Sequence, residues 1–154
     1  MQALLLVLVL ATPTKEKRTI DAVKESAARF QVPEAMIWAV IKVESNGDYG
    51  AVSEKACVGL MQVNPKTAPS LAKEIGMGWY HLGRIEHNIT LGTYYLKSLR
   101  DRYGTWMAAL TAYNKGPGNF TRDGFKTSGY ARKVMARYRL LSRSSATHIE
   151  AAPK

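Results

Sequence analysis

Glu44 closes an almost wholly apolar run, Ala35-Met36-Ile37-Trp38-Ala39-Val40-Ile41-Lys42-Val43, and Ser45 follows it. The run reads as a buried helix that ends on a carboxylate. A charged carboxylate beside apolar surface is costly, so the group keeps its proton to a higher pH than usual. A proton held near neutral pH is what a general acid needs. Downstream, Gly59-Leu60-Met61-Gln62 and Ala112-Tyr113-Asn114-Lys115-Gly116-Pro117-Gly118 add amide and aromatic groups. Amides both donate and accept, as sugar hydroxyls require. The three segments together point to cleavage of a glycan by one carboxyl group. Singly, each has an ordinary explanation: a solvated helix-end glutamate, a turn before a core Leu-Met pair, a helix ended by Gly-Pro-Gly. Their order and spacing carry the inference.

The elements that must position these groups are helical. Ile20, Val23, Ala27 and Phe30 recur at helical spacing. Pro33 suits the first position of a helix that runs to about Ser45 and is broken by Asn46-Gly47-Asp48. Tyr49 to Val63 has no period and reads as a loop lining a cleft. Asn64-Pro65 reads as an N-cap and first helical residue, with the helix ending near Gly76. Ile85, Ile89, Gly92, Leu96, Leu99 and Tyr103 mark a longer helix. A glycine there lowers helix propensity by about 1 kcal/mol, so close helix–helix contact is expected at Gly92. Thr105 can cap the helix bearing Trp106, Ala109, Leu110 and Tyr113, and Tyr130, Val134, Tyr138 and Leu141 mark the last. No segment joins β-branched alternation to hairpin turns, so the fold class is mainly α. The chain divides into a signal or linker segment, 1–18, a catalytic domain, 19–143, and a flexible tail, 144–154.

At 154 residues and 46% hydrophobic, the chain has the size of one domain with a real core and is not disordered. Its net charge of +10 favours a polyanionic partner such as nucleic acid, an anionic membrane or a bacterial cell wall. Lys126, Arg132, Lys133, Arg137, Arg139 and Arg143 surround the last helix. A solvated face is the first reading of that cluster and contact with acidic wall polymers the second. Nucleic acid is not expected, because no recognition motif accompanies the charge. The single Cys57 excludes an internal disulfide and reads as a small buried hydrophobe. His81, His87 and His148 lack ligand spacing, so neither a metal nor another cofactor is expected. The apolar run Ala3 to Ala11 is too short to span a bilayer, and no transmembrane span is expected. It resembles the core of a secretory signal with Ala11-Thr12-Pro13 as cleavage neighbourhood, though the usual basic start is missing. Export to the periplasm or beyond is therefore the expectation.

Across about Ile20 to Leu141 the sequence resembles the soluble lytic transglycosylase family. The matching residues are Glu44-Ser45, Ser53, Gly59 to Gln62, Asn88-Ile89, Tyr95-Leu96, Ala112 to Gly118 and Tyr130, in the family's order. The resemblance implies a goose-lysozyme-like fold. It also implies cleavage of the β-1,4 bond between N-acetylmuramic acid and N-acetylglucosamine in peptidoglycan strands, without water, leaving a 1,6-anhydromuramyl end. By the same resemblance Glu44 is the catalytic acid and base, and Ser53, Gln62, Tyr113, Asn114 and Tyr130 bind substrate. Two positions depart from the family. Asn64 stands where many members have methionine, and Lys126 where many have glutamate.

The residues are compatible with that chemistry. A conventional glycosidase needs two carboxylates, and only Glu44 is well placed; Asp48 and Glu54 fall in a polar loop. One acid suffices if the substrate's own N-acetyl group assists. Ser53 and Asn114 are candidates to hold that group. A hydrolytic muramidase on the same scaffold and a non-catalytic basic wall-binding module are the alternatives. A secretion or pilus assembly apparatus that needs a local gap in the wall is a further candidate partner.

Overall fold

The computed structural model describes residues 12–150, with side chains to residue 144. The apolar run expected to act as a signal lies outside the described residues. Among the described residues seven helices follow in order: α1 (Lys15–Phe30), α2 (Glu34–Glu44), α3 (Ala68–Glu74), α4 (Ile85–Tyr103), α5 (Trp106–Lys115), α6 (Pro117–Arg122) and α7 (Gly129–Glu150). Among the described residues there is no strand, only the isolated bridges Val52–Val58 and Val58–Val63.

Helix α2 is apolar around most of its circumference, with Met36, Ile37, Ala39, Val40 and Ile41 all buried and only Lys42 between its ends exposed. A helix of that kind belongs inside a molecule, and α1 and α7 pack against it. Helix α4 lies against α1, α3 and α5, and α5 in turn against α7. Thr105 caps α5 as expected, accepting from the Ala108 N–H at 3.2 Å. Gly104, at φ +76°, ends α4 in the left-handed conformation that favours glycine.

Several expectations need correcting. The signal or linker segment expected over 1–18 does not hold at its end: Thr14 accepts from the Lys17 N–H at 3.2 Å, and α1 begins at Lys15. Ile20 is not core but 41% exposed. The buried stripe of α1 is Thr19, Ala22, Val23, Ser26 and Ala27. Thr19 tolerates burial because its hydroxyl donates to the Lys15 carbonyl at 2.7 Å. Asn64 caps a turn, not a helix: its side-chain oxygen accepts from the Lys66 N–H at 2.9 Å. Helix α3 therefore starts only at Ala68. At the other end the backbone stays helical to Glu150, past the point where the sequence suggests a tail.

Gly92 does mark a close approach, but the partner is a loop side chain rather than a helix. A Cβ on Gly92 would sit 2.7 Å from Met61 Cβ and 2.8 Å from its sulfur. The missing side chain lets the Gly59–Gln62 loop seat Met61 on α4.

Candidate active site

Glu44 is the last residue of α2. Ser45 Oγ lies 2.9 Å from the Leu60 carbonyl and 3.2 Å from that of Ile41, tying the helix end to the Gly59–Gln62 loop. Glu44 is half-buried, and burial pushes its pKa from 4.5 up to about 7. The Tyr130 hydroxyl, in the first turn of α7, donates to Glu44 Oε1 at 2.7 Å. That bond favours the carboxylate and pulls the pKa down, but by less than burial raises it. Burial and the nearby Glu44 charge hold the Tyr130 phenol well above its ordinary range.

The loop beneath is built on one buried amide. Asn88 of α4 accepts from the Met61 N–H at 2.8 Å and donates to the carbonyls of Val58 and Leu82 at 2.8 and 2.9 Å. Gly59 packs against it at φ +76°, where an added Cβ would come within 2.5 Å of Asn88 Nδ2. Gly59→Ala therefore strains the backbone and displaces the staple together. It should destabilise the fold by about 2–4 kcal/mol in urea unfolding; an unchanged midpoint would show that the staple does not matter.

Gln62 is itself left-handed, at φ +51°. Its Nε2 donates to the Gly59 and Ala51 carbonyls at 3.0 and 3.2 Å, which leaves Oε1 as the end for a ligand's donor. The Tyr113 hydroxyl donates to the Met61 carbonyl at 2.8 Å, and its ring lies 5.2 Å from that of Tyr95. Burial first, and the Glu44 charge second, raise the Tyr113 phenol.

Gln62, Tyr113 and Asn114 share one cleft of about 300 Å³. Ser53 is not among its lining residues: it is exposed, and its Oγ accepts from the Cys57 N–H at 3.1 Å, bracing the 53–57 turn. Tyr130 meets Glu44 rather than the cleft wall. Tyr113 links the two groups, lining the cleft while feeling the Glu44 charge. A larger hollow, about 670 Å³, lies behind α6 beside Tyr103 and Phe125 and holds none of the candidate residues.

Sequence reasoning missed part of this wall. Cys57 is half-buried in the cleft rather than a core hydrophobe, and Lys55 and Lys115 line it too. Lys115 is held by Asp123 at 2.8 Å. Asp48 and Glu54 are exposed, and Asp48 accepts from the Gly50 N–H in its own turn. Among the described residues no three His, Cys, Asp or Glu side chains converge as a metal site would require.

The chain matches the family model described as the transglycosylase SLT domain over residues 21–135. It belongs to that family. The SLT chain is 32% identical over 121 residues to a transglycosylase of Enterobacteria phage PRD1, covering 79% of itself and 43% of the relative. It is 30% identical over 133 residues to membrane-bound lytic murein transglycosylase C of Haemophilus ducreyi, covering 77% and 36%. It thus spans less than half the length of these relatives. Among solved structures it resembles an inactive Glu-to-Gln mutant of the lytic transglycosylase Slt from Pseudomonas aeruginosa. The TM-score is 0.75 at 22% identity, over 82% of this chain and 24% of that one. The 70-kDa soluble lytic transglycosylase in complex with bulgecin A gives 0.72 at 25% identity, over 85% and 25%. The mainly α fold is therefore the lysozyme-like fold of SLT domains.

Proposed function

We propose that this SLT domain is a peptidoglycan lytic transglycosylase with Glu44 as its single acid and base. The observation that carries the reading is a half-buried carboxyl group, its pKa raised to about 7, beside a cleft lined with amides. Relatives named as murein transglycosylases support the substrate, and a Glu-to-Gln mutant of the Pseudomonas protein is inactive. Glu44 gives its proton to the glycosidic oxygen as the bond to the anomeric carbon breaks, and the N-acetylglucosamine side leaves with it. The muramic acid 6-hydroxyl oxygen then bonds to that carbon while the Glu44 carboxylate takes the hydroxyl proton. The acid is regenerated, and no water is consumed. Asn114 holds the acetamido group, and Gln62 and Tyr113 bind the sugars; Ser53, outside the cleft lining, braces the turn beside it. Residues 19–143 form the catalytic unit. The test is direct: the purified protein should release soluble fragments from purified sacculi, and failure to do so contradicts the reading.

Tyr130 serves in this scheme as a positioning residue. Its hydrogen bond lowers the Glu44 pKa, so Tyr130→Phe removes a stabiliser of the carboxylate and the pKa rises further. A general acid works when protonated. The alkaline limb of the pH–rate profile should therefore move to higher pH in Tyr130→Phe, even as misplacement of the acid lowers the maximal rate. A limb that stays put or moves to lower pH would count against this role.

Peptidoglycan lies outside the cytoplasmic membrane, and the proposed reaction calls for a periplasmic or secreted protein. Among the described residues no helix is long and apolar enough to cross a membrane. A secretion or pilus assembly apparatus that must pass through the wall is a partner of matching need.

A further inference from the structure

The segment between α3 and α4 carries an aromatic side chain that the scheme above does not use. Trp79 is 64% exposed. Two imidazoles brace its loop: His87 Nδ1 accepts from the His81 N–H at 2.9 Å, and His81 Nδ1 from the Gly83 N–H at 3.1 Å. The Arg84 guanidinium lies 5.6 Å from the centre of the Trp79 ring. Arg84 also lines a hollow of about 610 Å³ together with Lys15, Arg18 and Tyr49. The Lys15 ammonium sits 5.3 Å from the Tyr49 ring centre. Arg18 is committed to Glu86 through two bonds of 2.7 and 2.8 Å, which occupy both oxygens of that carboxylate. Lys15 and Arg84 make no ion pair among the described residues. One surface, drawn from α1, the loop after α2 and the loop before α4, thus presents an indole and two cations, each set over an aromatic ring and neither in an ion pair among the described residues.

We propose that this surface is a second binding site, separate from the cleft, for an acidic saccharide. The indole offers an apolar, electron-rich face to the C–H side of a pyranose ring, and Lys15 and Arg84 receive its carboxylate. The hollow favours a ligand that can enter it; a flat bilayer surface would rest on its rim. The inference rests on the peptidoglycan reading, because the muramic acid residues of that polymer carry such carboxylates. They come from two sources: the stem peptide, or the lactyl group once the stem is removed. A site outside the cleft holds a strand near Glu44 and raises its local concentration there.

The test uses the full chain with Glu44→Gln to prevent turnover, and measures co-sedimentation with purified sacculi. Adding Lys15→Gln, Trp79→Ala and Arg84→Gln should weaken retention about tenfold at low salt, and added salt should weaken the parent more than the variant. All three side chains are exposed, and Trp79→Ala alone should give part of the loss. In the active background the triple variant should cleave short soluble strand fragments as fast as the parent. Sacculi stripped of stems by an amidase assign the carboxylate: retention that survives stripping points to the lactyl group, and retention that falls points to the stem. Unchanged retention of the triple variant would overturn the proposal. So would an equal loss of short-fragment cleavage, which places these residues in the cleft, or a loss seen on phosphatidylglycerol vesicles and not on sacculi. If the parent cleaves nothing yet retention still depends on these residues, the catalytic reading fails and the binding site stands.

Discussion

Glu44→Gln should lower turnover of purified sacculi by at least ~10²-fold, the effect expected when a general acid is removed. The substitution keeps the side chain's shape and still offers an oxygen to the Tyr130 hydroxyl, which lies 2.7 Å from the carboxyl group. It removes only the proton that the leaving oxygen needs and the carboxylate that accepts the 6-hydroxyl proton. Both halves of the reaction fail together, so substrate binding should persist while kcat collapses. Near-wild-type turnover in a folded Glu44→Gln protein would remove Glu44 from the mechanism.

The same substitution should stabilise the fold at alkaline pH. Burial raises the Glu44 pKa from 4.5 to about 7 in the folded state. Below 4.5 both the folded and unfolded chains hold the proton, and the raised pKa has no effect on stability. Between 4.5 and about 7 the folded chain keeps a proton that the unfolded chain releases, so stability falls as pH rises. Above 7 the loss is complete, at about 3 kcal/mol. The amide introduced by Glu44→Gln carries no charge at any pH and escapes this loss. Urea unfolding should therefore show the variant more stable than wild type by about 3 kcal/mol at pH 8 and nearly equal to it at pH 4. An equal difference at both pH values would mean that burial of the charge is not what strains the site. Natural sites keep such groups because function needs them, not because the fold does.

The helices were largely legible because their signals are local. The run before Glu44, apolar but for Lys42, reads as an interior helix, and Ile85 to Tyr103 keeps one face over its full length. Thr105 caps from its own side chain, which sequence can show. Ile20 misled because its place at the edge of the α1 stripe depends on which neighbours cover Thr19 and Ser26. Asn64 misled because an Asx turn and a helix cap use the same side chain. At the candidate site, motif order drew attention to Gln62, Tyr113 and Asn114, which the fold brings to one cleft. It did not disclose that Asn88 staples the loop or that Cys57 and Lys55 face the cleft. Those facts depend on long-range pairing, which leaves no periodic trace. The Tyr130–Glu44 bond joins residues 86 positions apart and is of the same kind.

The most direct test of the account is the mass of the fragments released from purified sacculi. In the proposed scheme Glu44 is the one acid, Asp48 and Glu54 being exposed in their loop, and no second carboxylate is assigned to activate water or to form a covalent glycosyl intermediate. The 6-hydroxyl belongs to the same sugar as the anomeric carbon, which gives it a large proximity advantage over water. The fragments should therefore end in 1,6-anhydromuramic acid, lighter by one water than hydrolytic products, and should resist borohydride reduction at that end. Fragments ending mainly in reducible N-acetylmuramic acid would contradict the account and show a hydrolase with a base still to be found.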